Sequence, residues 1–218
     1  MKLSVDLFFS FRSPYSYLAL PKTLKLAADY DLDVNLRPVY PLAVRVPGFF
    51  KKTNPQFARY VVLDSSRVAK HENIPFRFPR PDPIVQDMTT LDVAEHQPYI
   101  HRLTRLGAAA QLEGRSLAFT HAIRRVLWDG SVNGWNEGDH LARAAAAAGF
   151  DLAAMDGAIT ADPDRYERVI AGNEQDHAAS GHWGVPTFAF ENEPFFGQDR
   201  IDLLVWRMES KGLSRRDK

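Results

Sequence analysis

The chain has 218 residues, 45% of them hydrophobic, with 27 basic and 27 acidic side chains that cancel, and it contains no cysteine. That length and apolar content suffice for one large domain or a domain carrying an insertion, while the charge balance gives no long-range field for nucleic acid or an anionic membrane. Without cysteine the protein has no thiolate nucleophile, disulfide exchange or Cys-ligated metal of its own, so any sulfur chemistry requires sulfur carried in by a ligand.

The stretch from Val5 to Phe11 is dense in Phe and Val, the composition of a buried strand. It runs into Ser13-Pro14, a helix start. Two readings of Ser13 stand. It is a good N-cap, with Pro14 at N1 and its hydroxyl accepting from the Ser16 N–H. It also lies where a strand feeds a helix, the place where unpaired N–H groups and the positive end of the helix dipole converge. Apolar residues from Tyr17 to Ala27 recur with helical spacing, and Val34 to Val39 alternates as a short strand. Strand, helix, strand predicts two parallel neighbours.

Residues 41–55 read as an irregular loop with Phe49-Phe50 as lid-like aromatics, and a helix is expected from about Phe57 to Asn73. Four prolines between Ile74 and Pro83 predict an extended connector. From about Thr89 to Ser180 the chain reads as successive helices broken by glycine. Gly184 to Phe190 then reads as a strand opened by Pro186, Glu191-Asn192-Glu193 as a hairpin turn, and Gly197-Gln198-Asp199-Arg200 as the start of a last helix. Of the histidines, His182 reads as a surface residue, and no pattern assigns a metal. The four tryptophans read as core or pocket walls. Lys211, Arg215, Arg216 and Lys218 read as a solvated tail. With no leading apolar segment and no long apolar run, the expectation is a soluble cytoplasmic protein.

Ser13-Pro14-Tyr15-Ser16 after the first strand and Val185-Pro186-Thr187 before a late one together resemble an α/β thioredoxin-like fold with a large all-helical insertion, of the DsbA type. There, a Cys-Pro-His-Cys-type site faces a cis-proline loop; here serines replace the dithiol. The serine-bearing version, with Tyr60-x-x-x-Asp64-x-x-Arg67, Ile74-Pro75 and Phe78-Pro79 in order, resembles the 2-hydroxychromene-2-carboxylate isomerases and kappa-class glutathione transferases. The resemblance implies a thioredoxin-like unit at 1–40 and 184–218, with a connector and helical insertion at 41–183. It implies glutathione as cofactor, with Ser13 hydrogen-bonding its sulfur. Val185 and a cis Pro186 would meet its cysteinyl part, Gln198, Asp199 and Arg200 its γ-glutamyl end, and Asn54 and Tyr15 the substrate. An ordinary edge-strand proline at Pro186 and a dipole-complementing acid at Asp199 are the plain alternatives. Phe57 stands where relatives carry a lysine. The partners implied are a small electrophile and a second copy of the chain, with no nucleic acid and no membrane. The activity implied is a glutathione-dependent isomerase; a glutathione transferase or peroxidase and a non-catalytic binding protein are the alternatives.

Overall fold

The computed structural model describes residues 2–87 and 89–216; Met1 and Lys218, on which the expected start and basic tail partly rest, lie outside them. Strands β1 (Leu3–Phe9), β2 (Leu32–Pro38), β3 (Thr187–Phe190) and β4 (Glu193–Phe196) form one mixed sheet in the order β2-β1-β3-β4. Helix α1 (Pro14–Asp29) carries the chain from β1 to β2, which pair in parallel from Leu3 opposite Leu32 to Phe9 opposite Pro38. Strand β3 runs antiparallel to β1, with Phe8 opposite Thr187. The β3–β4 hairpin turns through Glu191 and Asn192, both left-handed at φ 50° and 65°, the backbone that matches the twist of paired strands. Because β1 ends where β3 begins, residues 10–13 and 184–186 are brought side by side from opposite ends of the chain.

Between β2 and β3 lie α2 (Leu42–Arg45), α3 (Phe49–Lys52), α4 (Pro55–His71), α5 (Pro98–Leu112), α6 (Ser116–Trp128), α7 (His140–Ala147), α8 (Leu152–Ala161) and α9 (Pro163–Ala179), and α10 (Ile201–Glu209) follows β4. Helix α5 buries Ile100, Leu103 and Leu106 in a core shared with the sheet. It approaches β2 closely because Gly107 has no side chain: a Cβ there would lie 2.9 Å from Pro38 Cγ and 3.0 Å from the Phe11 ring.

Helix α1 contains Pro21, whose missing N–H leaves the carbonyl four residues earlier, that of Tyr17, without its helical partner. Arg124 of α6 fills that gap. Its Nη1 donates to Tyr17 O at 2.7 Å, and its guanidinium lies 4.7 Å from the centre of the Tyr17 ring. The side chain is only 3% exposed, and burial lowers its pKa to about 10. A buried arginine without a carboxylate partner thus acts as a substitute backbone donor.

Several expectations are corrected. Residues 41–55 hold two short helices, α2 and α3, separated at Gly48, whose φ is +72°. The helical run begins at Pro98 rather than Thr89, since Asp87 accepts the N–H groups of Thr89 and Thr90 and Gln97 binds Val85 and Ala94, which commits these groups to loop contacts rather than helical ones. Gly197–Asp199 is a turn, and α10 starts only at Ile201. The tail is docked: Arg216 Nε donates to Tyr30 O at 2.8 Å and Lys211 pairs with Glu191 at 2.9 Å. Trp128 and Trp135 are core, but Trp183 and Trp206 are 52% and 64% exposed. No helix among the described residues is long and apolar enough to cross a membrane.

Candidate active site

After β1 the chain turns sharply, the Ser13 N–H donating to Ser10 O at 3.1 Å. Ser13 then caps α1. Its backbone is extended (φ −81°, ψ 121°), Pro14 occupies the first turn, and Oγ accepts from the Ser16 N–H at 3.1 Å. The same hydroxyl donates to Val185 O at 3.2 Å, across 172 residues of sequence. That contact is long for an O–H···O bond, so the hydroxyl proton is weakly held where it points. Ser16, in the second serine position, is fully buried, and its Oγ has no hydrogen-bond partner in the protein.

The Val185–Pro186 peptide is cis, and so is Arg80–Pro81, which no local signal distinguishes from the other proline bonds of the connector. A polar network behind the first of these holds its loop. The Gly184 carbonyl accepts from Thr187 Oγ1 at 2.6 Å and from His177 Nε2 at 2.8 Å. His177 of α9 is wholly buried and stacked on Phe8 at 4.7 Å. Burial, reinforced by the neighbouring Arg45, pushes its pKa down to about 4, so the ring is neutral. Arg45 Nη2 donates to Trp183 O at 2.6 Å, pinning the next residue of the loop. Gly184 lets the loop pack closely, since a Cβ there would lie 2.5 Å from the Phe196 ring and would force that ring to move. His182 is half-buried rather than on the surface, stacked on Phe196 at 3.9 Å with Nδ1 accepting the Gly184 N–H at 2.9 Å.

The third part of the site is the turn after β4. The Gly197 N–H donates to Pro186 O at 2.9 Å, joining that turn to the proline loop. Gly197 has φ +113°, a backbone conformation that strains any residue with a side chain. Asp199 pairs with Arg200 at 2.6 Å. Gln198 and Asp199 line a cleft of about 260 Å³ against α1 and α4, together with Lys22, Arg67, His71 and Glu72. Lys22 and Glu72 pair at 3.0 Å across it.

Tyr15 and Asn54 belong to the α1–α4 side. Tyr15 Oη donates to Asp64 Oδ2 at 2.8 Å, and Tyr60 Oη donates to Asp64 Oδ1 at 3.2 Å. Burial first, then the bond to Asp64, raises the Tyr15 pKa, so the phenol stays protonated. Asn54 caps α4, its Oδ1 accepting the Gln56 N–H at 2.9 Å. Ser13, Val185, Pro186 and the Gly197–Arg200 turn are therefore directly linked, Tyr15 joins them through α1, and Asn54 bonds within its own helix start, to the Gln56 N–H. His177, Arg45 and Asp64 complete the surroundings; of these only Asp64 left a trace in the sequence, four residues after Tyr60.

A mixed sheet with a helix N-terminus facing a cis-proline loop, interrupted by helices, defines a thioredoxin-like α/β protein. Residues 4–209 match the model of the DSBA-like thioredoxin domain, and the chain belongs to that family. It is 26% identical over 209 residues to a 2-hydroxychromene-2-carboxylate isomerase of Pseudomonas putida, covering 92% of this chain and 91% of that one. A solved structure of a 2-hydroxychromene-2-carboxylate isomerase superposes with a TM-score of 0.71 at 22% identity, covering 95% of both chains. A probable DsbA oxidoreductase from Streptomyces coelicolor superposes with a TM-score of 0.64 at 20% identity, covering 95% of this chain and 88% of that one.

Proposed function

We propose that the protein is a glutathione-dependent isomerase of the 2-hydroxychromene-2-carboxylate isomerase type. The observation that carries this reading is Ser13 Oγ, held at the α1 N-terminus and 3.2 Å from Val185 O, in a chain that has no cysteine of its own. The name borne by the Pseudomonas putida relative supports the reaction class.

The surrounding groups fit the peptide chemically. Its zwitterionic end needs cations for carboxylates and an anion for the ammonium, and the cleft beside Gln198 and Asp199 offers Arg67 and Asp199 among its lining groups. When bound, glutathione supplies a thiolate that adds reversibly to an unsaturated, aromatic-derived substrate and departs unchanged. The chain's part is to make that thiolate available. Ser13 turns its hydroxyl from Val185 O toward the sulfur, exchanging one long hydrogen bond for a charge-assisted one. The first turn of α1 carries no acidic side chain to cancel its dipole, so its positive end adds to the effect. Val185 and Pro186 present the backbone that flanks the cysteinyl part, Gln198, Asp199 and Arg200 hold the γ-glutamyl end, and Tyr15 and Asn54 set the substrate side through α4.

The test is cis-to-trans isomerisation of an arylidene ketone with and without glutathione. Turnover that requires glutathione, leaves its concentration unchanged and falls in Ser13→Ala supports the reading. Stoichiometric loss of glutathione would make the protein a transferase instead, and turnover indifferent to both glutathione and Ser13 would reject the proposal.

A further inference from the structure

Packing anchors helix α4 over its second half only. From Pro55 to Leu63 no residue is buried, and Tyr60 and Val62 are 57% and 52% exposed. Burial begins at Ser65 and Ala69, and just past the helix end Glu72 pairs with Lys22 of α1 at 3.0 Å. The exposed half nevertheless forms a wall of the site. Asn54 caps it, and its Phe57 ring meets Phe49 edge to face at 6.5 Å, itself 5.6 Å from Trp183, two residues before Val185. Helix α3, which carries Phe49, buries none of its own residues and is a poor anchor. Phe57 lies about 18 Å along the helix from Ala69, so a tilt of about 10° there would move it by about 3 Å. A misplacement of about 1 Å can cost an enzyme about 100-fold in rate.

A bond to α1 crosses where the packed half begins. Tyr15, in the first turn of α1 and two residues after Ser13, donates to Asp64 Oδ2 at 2.8 Å. Tyr60, one turn earlier on α4, donates to Asp64 Oδ1 at 3.2 Å, so both carboxylate oxygens are engaged and the orientation of the group is fixed. A phenol donating to a carboxylate makes a charge-assisted bond, about twice the strength of a neutral one. The Ser13 hydroxyl depends on neither contact, since its partners are the Ser16 N–H and Val185 O. The tie therefore acts on the helix and leaves the thiol-facing hydroxyl alone.

We propose that Asp64 is a positioning residue: through Tyr15 it fixes the outer half of α4 against the α1 N-terminus, and with it the side of the site that holds the substrate. The proposal rests on the reading of Ser13 as the reacting centre, so its test has one arm that needs no turnover. In the full-length protein, hydrogen exchange followed by mass spectrometry compares the amides of residues 59–63 with those of residues 68–71. Tyr15→Phe, which removes the bond but keeps the Asp64 charge, and Asp64→Ala speed exchange severalfold in the first group and leave the second as it was. Asp64→Asn, which retains a carbonyl oxygen for the Tyr15 hydroxyl, keeps exchange slow. In the kinetic arm, each bond-breaking variant raises KM for the arylidene ketone about fivefold to tenfold, the double variant raises it no further, and Tyr15→Phe leaves the ionisation of bound glutathione unmoved. Unchanged exchange at residues 59–63, acceleration spread equally over both groups, or failure of asparagine to substitute overturns the proposal. Absence of glutathione-dependent turnover by the unmodified protein tells against the Ser13 reading instead, and the exchange pattern still decides the role of Asp64.

Discussion

Ser13 and Ser16 are three residues apart on one helix turn yet are chemically unlike. Ser13 Oγ has a donor on one side and a long acceptor contact on the other, whereas Ser16 Oγ is buried with no partner in the protein. A buried hydroxyl that makes no bond costs more than it contributes. Ser16→Ala should therefore leave the proposed glutathione-dependent activity intact and leave stability unchanged or raised by up to about 1 kcal/mol. Ser13→Ala should lower activity by about 10- to 100-fold, the worth of one hydrogen bond to a charged group, and also cost about 1 kcal/mol of stability through the lost cap. Steady-state kinetics and urea melts of the two variants check both statements; equal effects at the two serines would contradict them.

At the scale of elements, α1 shows how one residue's defect is met by another element. Pro21 withholds an N–H and Arg124 supplies one to the same carbonyl. The two residues should therefore be coupled. Arg124→Met alone leaves Tyr17 O buried and unpaired and should cost about 2 kcal/mol or more. In a Pro21→Ala background, where the backbone N–H is restored, the same change should cost about 1 kcal/mol less. Strict additivity in the double-mutant cycle would refute the substitute-donor account.

The loop before β3 is held in the same manner by a residue from elsewhere, His177 of α9. Its pKa is lowered from 6.5 to about 4 by burial. Between those values the unfolded chain binds a proton that the folded protein does not, so stability is full above pH 6.5 and is lost as pH falls toward 4. His101, His121 and His182 are shifted in the same direction and share the effect. Denaturation midpoints at about pH 7 and about pH 5 should differ less in His177→Gln than in the unmodified protein; an undiminished difference would show that His177 does not titrate as described.

Across the whole molecule, the sequence was most readable where local chemistry and tertiary role coincide. The apolar density of Val5–Phe11 and the Ser13-Pro14 step locate β1 and the start of α1, and the apolar stretch opened by Pro186 locates β3, because strand burial and helix capping leave local marks. Short elements escaped: α2 and α3 are four residues each, less than the span over which periodicity can register. So did every long-range polar contact. The Pro21 position does announce an orphan carbonyl, but nothing local says that Arg124, 103 positions later, answers it. His177 reads as an ordinary helix residue until the sheet brings Gly184 against it. The exposure of Trp183 is likewise a property of the assembled wall.

The central claim is that the α1 N-terminus and Ser13 lower the pKa of a thiol the protein does not itself possess. Since the chain lacks cysteine, the ultraviolet absorbance of thiolate in a mixture with glutathione reports on the peptide alone. Titrated against pH, bound glutathione should ionise about one unit or more below the usual thiol value of about 8.5, and the shift should shrink or vanish in Ser13→Ala. Ionisation at the value of free glutathione in the presence of saturating unmodified protein would contradict the account.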